Sequence, residues 1–210
     1  MKIFKDYLLV IIGSFFMGLG IALTKCAELG LSTISSVPNV VSLKFPVYTL
    51  GTWSAIWNIV MIAAQIVILR KRFNPIQFMQ IPVSIIFGWF TDFGVWMFSY
   101  IPTALYAVKL IMTAFGVTVL AFGISLTIIA NRVMNPAEAL VKVVADEIKR
   151  DFGSIKIAFD VFCVVLALVL SLVFFNFKIF GIGVGTIIAM IGTGPLIKLF
   201  VSLFNRKSKC

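Results

Sequence analysis

Asp160 sits inside the apolar run Ile157-Ala158-Phe159-Asp160-Val161-Phe162, where a carboxylate facing lipid costs a few kcal/mol. Such a group has to face a partner or a cavity. It can carry a proton, pair with a cationic solute, or bond to Lys156, one helical turn earlier. Asn58 occupies the corresponding place in an earlier apolar run at an offset of 102, so the two polar groups are expected to face a shared cavity. Thr24 and Thr127 each follow a glycine by four positions. Their hydroxyls can meet a solute or bond to a carbonyl one turn back, as buried threonines commonly do. Ser32 and Asn135 open two short helices, whose free N–H groups can hold an anionic group. Glu138 partly neutralises the second of these starts, so an anion would favour the first. Asp160, Asn58, Thr24, Thr127, Ser32 and Asn135 are therefore the candidate solute-binding residues. Asp92 and Lys109 are expected to form a structural salt bridge.

Other chemistries find no support in the sequence. Histidine is absent, and Cys26, Cys163 and Cys210 have no motif spacing, so no metal site or cofactor is expected. Cys26 and Cys163 read as packing residues and Cys210 as an exposed tail thiol. No base–nucleophile pair is visible, and the chain is not expected to be an enzyme. The basic residues are strung between apolar runs and not gathered on one face, which argues against a nucleic-acid partner despite a net charge of +10.

The elements that position these residues follow from composition. With 61% hydrophobic residues, 12% charged residues and a mean hydropathy of +1.11, the chain cannot cover itself with polar surface. The expected fold class is an all-α membrane protein with six transmembrane helices, its partner the lipid bilayer. The spans run roughly over Tyr7 to Cys26, Tyr48 to Leu69, Ile76 to Phe98, Leu105 to Ile129, Ser154 to Phe175 and Ile179 to Phe204. With both termini cytoplasmic, Lys2, Lys5, Arg70 to Arg72, Arg132, Lys142, Lys149, Arg150, Arg206, Lys207 and Lys209 gather on the inner side. Lys25, Lys44, Lys109 and Lys178 fall on or near the outer side, an asymmetry of the positive-inside kind.

The chain also reads as one half written twice. Gly13, Gly20, Ile21, Leu23 and Thr24 return as Gly116, Gly123, Ile124, Leu126 and Thr127. Residues 1–103 and 104–210 are thus expected to be three-span repeats of one membrane domain. An odd number of spans in each half makes the second inverted, with a solute site where the halves meet. Between the first two spans of each half lies a segment too long for a turn. Asn135-Pro136-Ala137-Glu138 predicts a helix start with Asn135 as N-cap and Glu138 as capping-box acid. The helix that follows, with Leu140, Val141, Val144 and Ile148 on one face, is expected at the inner interface, carrying Glu138/Lys142 and Asp146/Arg150 pairs. Its less polar counterpart from Ser32 is a candidate to dip into the membrane. The glycines from Gly181 to Gly194 are expected to pack the last span closely.

Leu29-Gly30-Leu31-Ser32-Thr33, Met134-Asn135-Pro136-Ala137-Glu138, the run Gly181-Ile182-Gly183-Val184-Gly185-Thr186 and Gly194-Pro195 resemble the YczE/YyaS/YitT family of bacterial membrane proteins. The likeness covers nearly the whole chain. It implies a multi-pass protein of the bacterial plasma (inner) membrane and supplies no substrate. The expected function is a small-solute permease, with an unidentified solute and a homodimer as expected partners. The competing expectation is a non-transporting accessory or regulatory membrane protein.

Overall fold

A computed structural model describes the backbone of residues 2–130 and 133–207, and all its regular elements are helices. Six helices are long and apolar enough to cross a membrane: α1 (Lys2–Cys26), α3 (Leu50–Leu69), α4 (Gln80–Phe98), α5 (Tyr106–Ala130), α7 (Phe152–Phe174) and α8 (Val184–Lys207). Two short helices interrupt them, α2 (Thr33–Lys44) and α6 (Pro136–Glu147). The side chains of Lys2, Arg132, Arg206, Lys207 and Lys209, and the thiol of Cys210, lie outside the described residues.

α1 and α5 cross at the centre, and glycine makes the crossing possible. A β-carbon on Gly13 would sit 2.8 Å from the Gly123 carbonyl oxygen, and one on Gly20 would sit 2.7 Å from that of Gly116. The converse contacts hold as well, at 2.6 Å for Gly123 on Gly13 and 2.9 Å for Gly116 on Gly20. Numbering rises along one helix as it falls along the other, so the two are antiparallel. Met17 and Ile21 of α1 and Leu120 and Ile124 of α5 join Leu31, Leu50 and Phe87 in the main apolar cluster around this crossing. α4 packs on α1 and α8 on α5, while α2 and α6 each lie against both α3 and α7.

The short helices differ from expectation in one respect. From Pro136 to Val141 every residue of α6 is buried, so its first turns lie inside the bundle and not along a surface. The reason is local: Glu138 is the only charged side chain in that stretch, and no polar face exists there to meet water. Neither expected i,i+4 pair forms among the described residues. Glu147 instead receives both of its bonds from the Arg72 guanidinium, at 2.8 and 2.9 Å. The α6 start is held from α3, where the Gln65 side chain donates to the Pro136 carbonyl at 3.0 Å and pairs with Gln80 of α4. α2 is held by the Lys25 ammonium, which donates to Asn39 Oδ1 at 2.6 Å, while Asn39 Nδ2 donates to the Gly181 carbonyl at 3.3 Å.

Two further expectations are corrected. Asp92 and Lys109 do not meet. The Asp92 carboxylate accepts from the Thr49 hydroxyl at 2.6 Å and the Gly51 N–H at 2.8 Å, where the α3 N-terminus offers unpaired donors. Lys109 pairs with Glu28 at 2.7 Å. The glycine run also begins ahead of the last helix. Gly181 takes a φ of +77°, which favours glycine, and the Gly185 N–H donates to the Leu29 carbonyl at 2.7 Å. A β-carbon on Gly183 would lie 2.6 Å from that carbonyl, so the run allows one backbone to lie on another.

The two halves differ in one seam. α3 and α4 pack together, with Gly51 pressed against the Gly88 carbonyl. α7 and α8 have no comparable contact, and the space between them is part of a cavity.

Candidate functional site

A cavity of about 570 Å³ lies where α2, α3, α6, α7 and α8 surround the central crossing. Met17, Ile21, Leu120, Ile124 and Phe87 give it an apolar wall. Both short helices start at its edge, α2 through Ser32 and Thr33 and α6 through Asn135. Asn135 Oδ1 accepts the Ala137 N–H at 3.3 Å, while Ser32 makes no side-chain cap.

A carboxylate meets each of these helix starts. At α2, Asp160 Oδ1 accepts from the Thr33 hydroxyl at 2.9 Å and from the Lys156 ammonium at 2.6 Å. The bond to Lys156 that the sequence offered as the structural alternative is therefore formed, and it leaves Asp160 at the cavity wall, half-buried. At α6 the carboxylate is Glu138, which makes no bond back to Asn135. Its Oε2 is buried without a hydrogen-bond partner.

The facing wall is α3, where Ser54, Trp57 and Asn58 are spaced three and four apart and share one side of the helix. Ser54 Oγ and Trp57 Nε1 are also buried without partners. Ser54 and Glu138 are only 4% and 7% exposed. An unmet buried polar atom costs about 1–3 kcal/mol, and here three of them collect around one cavity.

The cavity thus brings together Asp160 and Asn58 from two helices and Ser32 and Asn135 from the starts of two others. Thr24 and Thr127 lie elsewhere, at the α1–α5 crossing. Their hydroxyls donate to Ile21 O at 2.9 Å and Ile124 O at 2.7 Å, and their methyls lie where β-carbons on Gly116 and Gly13 would project. With both hydroxyls satisfied, neither is assigned a solute contact. Sequence reasoning missed Ser54, Trp57 and Thr33 as lining residues, and it read Glu138 as a capping acid and a partner of Lys142. The helical spacing of Ser54 and Trp57 to Asn58 was the available signal.

Burial pushes the Glu138 carboxyl above its ordinary value; the Lys156 ammonium opposes the shift and Asp160 adds to it. The folded protein therefore holds this proton more tightly than the unfolded chain does. The associated stability is fully present below the ordinary carboxylate range and is lost as pH rises through the raised value. Thermal melts of the detergent-purified protein across pH should show this fall, and Glu138→Gln should remove it. Parallel profiles for the two proteins would refute the assignment.

Residues 4–202 match the model of a family of unknown function (DUF6198), and the chain belongs to that family. The match carries no link to the YczE/YyaS/YitT name. No curated protein and no solved structure matches the chain.

Proposed function

We propose that this chain is a small-solute permease of the bacterial plasma membrane, built from two inverted halves, 1–103 and 104–210, with the central cavity as its solute site. The carrying observation is the set of three unpartnered buried polar atoms, on Ser54, Trp57 and Glu138, around a cavity large enough for a small organic molecule. A purely structural bundle gains nothing from leaving them unmet. The reciprocal contacts of Gly13 with Gly123 and of Gly20 with Gly116 support the inverted relation, because each contact is the other's image under the repeat.

The difference between the two seams supports alternating access. At an offset of 102, Gly51 and Asp92 correspond to Gly153 and Gly194. The first pair is in close contact at the α3–α4 seam. A β-carbon on Gly153 would meet only Asp151, and one on Gly194 would meet nothing within 4 Å. With both termini cytoplasmic, the closed seam is the outer one and the open seam the inner one. Exchange of the two packings moves the site from one side to the other.

Two measurements test this reading. Cysteines introduced near Lys44 should react with an impermeant reagent applied from outside, and cysteines near Lys71 should not; the reverse pattern overturns the topology. Thermal stability against a broad solute panel should reveal a ligand, with a gain of about 2.7 kcal/mol at a hundred times Kd. Silence over the panel, together with a copurifying protein, would favour the accessory role.

A further inference from the structure

We propose, resting on the permease reading, that the solute is a monovalent organic cation: a protonated amine on an apolar body, with a hydrogen-bond-accepting oxygen close to the nitrogen. Glu138 takes the ammonium, and Ser54 and Trp57 take the oxygen.

The charges at the cavity carry the first part. Four charged side chains line it: Glu138, Lys156, Asp160 and Lys198. Lys156 and Asp160 are spent on each other at 2.6 Å, with the Thr33 hydroxyl on the same carboxylate oxygen. Lys198 is exposed on α8. Glu138 remains, buried and with an oxygen that nothing satisfies. The same count disfavours an anion at the α2 start, since the Asp160 carboxylate stands beside that positive end, bonded to the Thr33 hydroxyl. Both helix starts that would attract an anion carry a carboxylate of their own, so the vacant electrostatic position is one for a cation.

The hydrogen-bonding groups carry the second part. Trp57 Nε1–H can only donate, and a carboxylate can only accept. A solute that satisfies both presents a donor and an acceptor together. Ser54, one turn from Trp57 on the same side of α3, can serve either. The walls set the rest of the molecule. Met17, Ile21, Phe87, Leu120, Ile124 and Ile157 ask for an apolar body, and a bare proton or metal ion would leave most of the 570 Å³ unfilled.

Glu138 faces Lys156 and Asp160 from α7, and the side of α3 that it meets contributes only the neutral Ser54, Trp57 and Asn58. Burial, the largest influence, favours a protonated Glu138 carboxyl when no cation is bound, against the opposing pull of the Lys156 ammonium. Amine binding releases that proton, and affinity rises with pH until Glu138 is ionised.

The test uses matched probes. Ethanolamine, leucinol, phenylalaninol and tryptophanol are each compared with the 1,2-diol and the 3-hydroxy acid that replace the ammonium by a hydroxyl or a carboxylate. Binding is read by thermal shift on the full chain in detergent. At least one amino alcohol should bind at least tenfold more tightly than its matched diol and acid. Glu138→Gln should weaken it at least tenfold and abolish the rise with pH. If that variant does not fold, Trp57→Phe removes the N–H while keeping a ring, and should weaken the amino alcohol several-fold. Diols or acids that bind as well as the amines, with no dependence on Glu138, would overturn the cation assignment and leave the permease reading standing. No binding in any of the three charge classes would overturn both.

Discussion

Gly20→Leu is expected to prevent the chain from reaching its folded state. The new β-carbon would lie 2.6 Å from the Leu120 nitrogen and 2.7 Å from the Gly116 carbonyl oxygen. Both are backbone atoms, so no rotamer change relieves the clash and the two central helices have to part. Parting them exposes the cluster of Met17, Ile21, Leu120 and Ile124, on which the other helices assemble. Overpacking in a core usually costs about 1–3 kcal/mol, and separation of a backbone crossing should exceed about 4 kcal/mol. The readout is loss of the monodisperse peak in size-exclusion chromatography. Gly123→Leu, at the matching position 103 residues later, should fail to the same degree, because its β-carbon would lie 2.6 Å from the Gly13 carbonyl oxygen and 2.6 Å from the Met17 nitrogen. A well-folded Gly20→Leu protein would show that the crossing is not the centre of the structure.

The opposite outcome is expected at Gly194. A β-carbon there would meet no other part of the fold within 4 Å beyond its own helix turn, and the residue lines the cavity. Gly194 precedes Pro195 within α8, where the proline ring crowds a β-carbon on the residue before it and offsets the gain of about 0.5–1 kcal/mol that replacing a helical glycine brings. Gly194→Phe should therefore fold with a melting temperature close to that of the wild type. It should nonetheless lose solute binding by at least a hundredfold, because the ring enters the space the solute needs. The ring would also obstruct closure of α7 on α8. Retained binding and retained transport in this variant would place the solute site elsewhere. The contrast between the two glycines is informative in itself. One is needed because backbones touch, and the other stands where this state of the protein is open.

Much of this arrangement was legible in the sequence, and the exceptions have physical causes. The six long helices follow from apolar runs of sufficient length separated by clusters of charge, a pattern that needs no tertiary information. The start of α6 was legible from Asn135 and Pro136, because a helix N-terminus is set by local hydrogen bonding. The bond between Lys156 and Asp160 was open to inspection for the same reason, as were the carbonyl bonds of Thr24 and Thr127. The partner of Asp92 was not, since the α3 N-terminus that binds it is distant in sequence and neutral. The depth of α6 was misread because all its charged residues except Glu138 lie past its first turns, and the pattern was averaged over the whole helix. Ser54 and Trp57 gave no alarm, because one serine and one tryptophan in a long apolar helix are ordinary. Their spacing to Asn58 hinted at a shared face, and the absence of partners beside a cavity is what marks them out.

The central claim is that solute passes through the cavity. Its most direct test is uptake into proteoliposomes of the amine identified by binding, measured for the wild-type protein and for Gly194→Phe. The account predicts saturable uptake by the wild type, no uptake above that of empty liposomes by Gly194→Phe, and equal incorporation of both proteins. Tight binding of the amine without uptake by the wild type would contradict it and identify the chain as a solute-sensing accessory protein.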